Sequence, residues 1–247
     1  MTRTTLVVAF VLLLFGLTAP AARADVVVLQ DWTFNINGNT NYNCTPVQGF
    51  PCTPDFPTFL SSAGFDFNTG IGTVSGTYNP GSPGSYFLIL YVDHDIVSDV
   101  NNNPVDNETG ATSGSPGAGQ SWEIDEPGFV SGDIVENVLA AMLDNSIGAS
   151  IYGGTIYPND VAMALGWTFN LNAGEVANVT WTVSTTAPSS GFYLHQNDPL
   201  SNQDLYFYGT LNITGGTTVI PEPATGVLFL LGSAIVGAVG RRRSKVS

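Results

Sequence analysis

Residues 161–183 read VAMALGWTFNLNAGEVANVTWTV. Alternation over 161–171 puts Val161, Met163, Leu165, Trp167, Phe169 and Leu171 on one face. Ala162, Ala164, Thr168 and Asn170 fall on the other. A period of two is the mark of a β-strand with one buried face. Asn172-Ala173-Gly174-Glu175 supplies turn residues, and Val179, Trp181 and Val183 restart the alternation. The stretch predicts two consecutive strands joined as a hairpin, and with them an all-β domain.

The rest of the body extends that pattern. In 26–36 an apolar face of Val26, Val28, Trp32, Phe34 and Ile36 is expected. Residues 85–93, SYFLILYVD, are apolar on both faces and predict a central strand. Leu205, Phe207, Leu211 and Ile213 mark a last strand. Gly, Pro, Asn, Thr and Ser are abundant between these runs. The expected fold is an antiparallel β-sandwich with long loops over residues 25–218. One helix is predicted from the stripe Ile134, Val135, Val138, Leu139, Met142 and Leu143, with Asp133 and Glu136 at capping-box spacing. It should pack on the sandwich.

The two ends read differently. Arg3, an apolar run from Leu6 to Leu17 and Ala22-Arg23-Ala24 compose a secretory signal peptide over residues 1–24. At the other end, 219–247 read VIPEPATGVLFLLGSAIVGAVGRRRSKVS. The uncharged run 224–240 would span about 25 Å as a transmembrane helix, against a bilayer core of about 30 Å. The basic tail 241–245 would stay cytoplasmic.

Charge divides the chain the same way. All six basic residues lie in the end segments: Arg3, Arg23, Arg241, Arg242, Arg243 and Lys245. The span from Asp25 to Pro223 holds no Lys or Arg and all 20 acidic residues, a formal charge of −20. Nucleic acid is excluded as a partner, because phosphate binding needs basic side chains. Arginine clamps, Schiff-base lysines and P-loop lysines are excluded with it.

The order signal peptide, Pro221-Glu222-Pro223, apolar helix, Arg241-Arg242-Arg243 resembles the PEP-CTERM family of exported bacterial proteins. Segments similar to WEIDEPGF, LGWTFNLNAGE and GFYLHQNDP carry the resemblance into the domain. It implies secretion, a transient single-pass state in the inner membrane, and processing by an exosortase-type membrane protease near the Pro-Glu-Pro triplet. The cell surface or the extracellular matrix, often in biofilm, is the implied destination. Extracellular polysaccharide is an implied partner.

Candidate chemistry in the body is sparse. Cys44 and Cys52, in NCTPVQGFPC, form a disulfide if exported, and closing that short loop stabilises by about 2.5 kcal/mol in the chain-entropy model. Asp93, His94, Asp95, Asp99, Asp106 and Glu108 make an acidic group after the central strand. Asp93, Asp95 and Asp99 suit a hard cation such as calcium, although the spacing is not that of an EF-hand, and a solvated acidic loop explains it as well. Trp122, Glu123, Asp125 and Glu126 form a second group, readable as a glycosidase pair or as surface acids at a strand end. His94 and His195 are the only histidines, and no Gly-x-Ser-x-Gly elbow accompanies them. His195 reads as a strand-end side chain bonded to a neighbour. Sequons at Asn43, Asn107, Asn178 and Asn212 are what an Asn- and Thr-rich chain produces by chance. No catalytic residue is assigned, and no cofactor beyond calcium. The expected role is structural or adhesive, with a carbohydrate- or calcium-binding module as the alternative and a secreted hydrolase after it.

Overall fold

The computed structural model describes residues 26–42, 56–97, 108–127, 133–148, 151–152, 155–156, 160–199 and 201–216. Two antiparallel sheets face each other. Sheet A runs β2 (Asn39–Tyr42), β1 (Val26–Ile36), β5 (Gly84–Val97), β10 (Ala162–Leu171), β7 (Gln120–Asp125). Sheet B runs β3 (Leu60–Asp66), β4 (Ile71–Tyr78), β11 (Glu175–Ser184), β13 (Gln203–Gly215), β12 (Tyr193–Asp198), β6 (Thr109–Ser113). Two short strands, β8 (Ile151–Tyr152) and β9 (Thr155–Ile156), pair with each other. Helix α1 (Ile134–Ala140) lies on the outer face of sheet A. The signal peptide, Cys44, Cys52, Asp99, Asp106, Asn43, Asn107, the sorting segment and its transmembrane run lie outside the described residues. Among the described residues, no helix is long and apolar enough to cross a membrane.

The predicted hairpin at 161–183 is an arch. β10 pairs with β5 and β7, while β11 pairs with β4 and β13. The turn is tight, as expected: Glu175 N–H donates to the Asn172 carbonyl at 3.1 Å, and Gly174 takes a φ of 78°. The chain nevertheless crosses from one sheet to the other. In a hairpin, the apolar faces of both strands would lie side by side and need a third layer to cover them. Across an arch they cover each other. Trp167 packs on Trp181 at 5.8 Å between ring centroids. The Trp181 indole N–H donates to the Leu165 carbonyl at 3.0 Å, tying sheet B to sheet A through the core.

β5 is central, as its two apolar faces require. Leu88, Leu90 and Val92 face the sandwich core, and Ile89 and Tyr91 face α1. The phase of β1 needs correction. Val27 and Leu29 point inward, not Val28, and a bulge at Gln30 then brings Trp32, Phe34 and Ile36 to the same face. The extra residue rephases the strand, which strict alternation cannot show.

α1 is shorter than its stripe. Ala141 adopts the left-handed region at φ 57° and ψ 38°, and the helix stops there. Ile134, Val135 and Val138 are buried; Leu139 and Met142 are exposed. Leu143 is buried from the chain after the helix. The capping box does not form, since Asp133 makes no side-chain cap bond. Sheet A holds the helix instead. Asn35 of β1 donates to the Val138 carbonyl at 2.7 Å and the Leu139 carbonyl at 3.1 Å. Glu123 of β7 accepts from Asn137 Nδ2 at 2.9 Å and from the Asp144 backbone N–H at 3.3 Å.

Candidate functional site

The outer face of sheet A changes character within one step along its strands. One row across it is Thr33, Tyr91, Ala164 and Glu123, covered by α1. The next row is Asp31, Asp93, Ala162 and Asp125. The bulge at Gln30 creates this row. Without it Asp31 would point into the sandwich; with it Asp31 lies beside Asp93 on the outer face.

Asp95 comes after Asp93 on the same face of β5, and Asp160 stands two residues before β10. A carboxylate oxygen of Asp93, one of Asp95 and one of Asp160 all lie within 4.8 Å of one another. Asp93 is 8% exposed, and its Oδ1 has no hydrogen-bond partner. Burial raises the Asp93 carboxyl well above its ordinary range, and the charges of Asp160, Asp95, Asp31 and Glu108 add to it. Burial also pushes Asp31 up to about 6, against the lowering effect of the Trp32 N–H that its Oδ1 accepts at 2.7 Å. Gln30 donates its side-chain amide to Asp95. Three carboxylates and no imidazole or thiol make a donor set for a hard cation.

Proximity in sequence groups Asp93 and Asp95 with Asp99. Asp99 lies outside the described residues, and the third carboxylate found beside the pair is Asp160. Asp160 is far along the chain and has no local signal beyond preceding the 161–171 stripe. Asp31 is hidden from a reading by alternation because of the bulge.

The other members of the predicted acidic group go elsewhere. His94 points to the sandwich interior. It is fully buried beside Gly70, neither ring nitrogen makes a well-formed hydrogen bond, and burial drops its pKa to about 4. Glu108 is a clamp. Its carboxylate accepts from the Ile96 N–H at 3.0 Å, the Val161 N–H at 3.0 Å and Gln196 Nε2 at 2.6 Å. Gln196 also donates to the His94 carbonyl at 2.8 Å, so the pair joins β12 to β5 and β10. Burial raises the Glu108 carboxyl to about 7, despite the three donors.

The second acidic group is divided between faces. Trp122 packs on Phe192 at 5.7 Å, while Glu123 is buried under α1 and pushed up to about 7 by burial. Its oxygens hold the helix and the chain after it.

Sheet B turns a polar face outward. Thr73–Thr182 and Thr180–Thr210 hydroxyl pairs lie across it at 2.9 and 2.7 Å. Asn178 accepts from Thr77 and donates to Thr214, both at 2.8 Å. At the β12 side, His195 stacks on Tyr206 at 4.7 Å with an interplanar angle of 7°, and its Nε2 meets Asp204 at 2.7 Å. Tyr193 meets Tyr206 edge-on at 5.6 Å. His195 is thus bonded to a neighbour, as its sequence context predicts.

No curated protein and no solved structure matches this chain. One family model does, the PEP-CTERM protein-sorting motif, over residues 219–243. That stretch holds Pro221, Glu222, Pro223, Arg241, Arg242 and Arg243. The acidic sandwich is therefore carried by a chain with a PEP-CTERM sorting motif, the mark of an exported protein sorted by an exosortase.

Proposed function

We propose that the mature protein is a structural or adhesive module of the cell surface or extracellular matrix. The single observation behind this reading is the sorting motif at 219–243, set on a body with no Lys or Arg. The tail is cut near Pro221-Glu222-Pro223 after a transient inner-membrane stage, and residues 1–24 are lost on export. Both prolines lack an amide donor and fix φ, which keeps Glu222 extended for a protease to read. Intact mass of the protein in the surface fraction tests the proposal. The expected species lacks 1–24 and most of the segment after Pro223, and Glu222→Ala accumulates in the inner membrane. A full-length surface species, or normal release of the variant, would count against it.

A second reading, a carbohydrate contact, is favoured by the outer face of sheet B. Tyr193, His195 and Tyr206 offer ring surface beside rows of Thr and Asn hydrogen-bonding groups. Sugars pack their C–H faces on such rings while their hydroxyls are bonded at the side. Co-sedimentation with the cells' own extracellular polysaccharide should weaken in Tyr206→Ala. Equal co-sedimentation of both proteins would remove the face from consideration.

A further inference from the structure

We propose that Asp93, Asp95 and Asp160 bind one calcium ion, which fastens β5 to the start of β10 on the outer face of sheet A.

The donors fit the ion. Calcium takes oxygens at about 2.3–2.6 Å, so two ligands on opposite sides of it stand about 4.6–5.2 Å apart. The three carboxylate oxygens lie within 4.8 Å of one another, inside the span that the ligands of one ion cover. The set contains oxygen alone. His94, the one imidazole adjacent in sequence, is on the opposite face of the strand, in the core.

The orphaned oxygen points the same way. Asp93 Oδ1 is buried with no donor near it, within a strand whose backbone is paired on both sides. A buried carboxylate oxygen without a partner is costly. Asp31 adds a fourth negative charge across the β1–β5 pair. A body without Lys or Arg has no side-chain cation with which to offset these charges. An ion from the surroundings can.

The assignment gives a role to an acidic row set beside the helix-covered one. The row above it is sealed by apolar side chains of α1. In the acidic row Ala162 still packs in the α1 cluster, and Asp93 beside it presents a buried carboxylate.

The test uses the mature protein as the cells export it, stripped with chelator and titrated calorimetrically with CaCl₂ at pH 7.5. One saturable site per chain is expected, with a rise of several degrees in Tm. Asp93→Asn and Asp160→Asn should each lose the saturable heat and the Tm response. Asp93→Asn should also melt higher than the parent in chelator, because it removes a buried carboxyl whose Oδ1 has no partner. Glu136→Gln, on the exposed face of α1, should titrate as the parent does. A response kept in both Asp variants, or one of equal size with MgCl₂, is charge screening over the whole acidic body and overturns the site. Absence of saturable heat in the parent overturns it as well.

Discussion

At the residue scale, the unusual side chains are carboxyls held where water is scarce. Glu108 and Glu123 titrate near 4.5 when unfolded and near 7 when folded. The folded chain therefore keeps protons that the unfolded chain has released, and stability falls as pH rises through that window. Their contribution is fully present below about pH 4.5 and lost above about pH 7. Asp93, raised well above its ordinary range, acts in the same direction. His94 acts in reverse. Its pKa falls from 6.5 to about 4, so its contribution is present above 6.5 and lost as pH drops toward 4. Above pH 6 the carboxyls dominate. In chelator, Tm should decline between pH 6 and pH 8, and Glu123→Gln should remove part of the decline. At pH 8 that variant should gain on the order of 1 kcal/mol, or about 2–4 °C in a domain of this size. Thermal melts across this range decide it; an identical slope in the variant would mean that the helix cover does not keep water from Glu123. None of this was legible in the sequence. A Glu between Trp122 and Ile124 reads as an exposed strand position, and only the placement of α1 makes it interior.

Elements were legible according to how local their determinants are. The 161–171 and 175–184 strands can be derived from alternation, and the structure has both. Their pairing cannot, because a short turn serves a hairpin and an arch alike. The supply of partners decides: β10 is flanked by β5 and β7, and β11 by β4 and β13, from distant parts of the chain. The helix was visible as a stripe, but its end was not. Ala141 stops it in the left-handed region, where Ala gives no sequence signal. The end is held from outside, by Asn35. Its amide donates to two terminal carbonyls, and its Oδ1 accepts the Gly38 N–H at 3.0 Å. Asn35→Ala should cost about 1–3 kcal/mol, the range for stranding buried hydrogen-bond partners. Asn35→Asp should cost more, since it aims a carboxylate at the negative end of the helix. Urea unfolding measures both. Equal stability of all three proteins would show that the contact does not hold the helix.

For the whole molecule, destination is easier to read from the residues than activity. Sorting is written in contiguous residues at one end, which is why a short motif suffices to read it. The acidic site is assembled from Asp93 and Asp95 on one strand and Asp160 before another. No spacing rule could have joined them before the sheet order was known. Composition did foretell the electrostatic condition of the site, since a body with no Lys or Arg leaves its buried acids without an ammonium or guanidinium partner.

The pairing of β5 has a further consequence for how the protein reaches the outside. Leu88 stands opposite Ile36 on one side and opposite Trp167 on the other. Sheet A cannot close until a segment beyond residue 160 is available to the first hundred residues, even where the local β1–β2 and β3–β4 pairs have formed. Chains dominated by such distant pairings fold in milliseconds to seconds, far more slowly than those with local contacts. A polypeptide threading a narrow translocation channel from its N-terminus must stay unfolded until most of it has passed. In this chain the delay would be built into the order of its strands, because β10, the second partner of the central strand, is made only after residue 160.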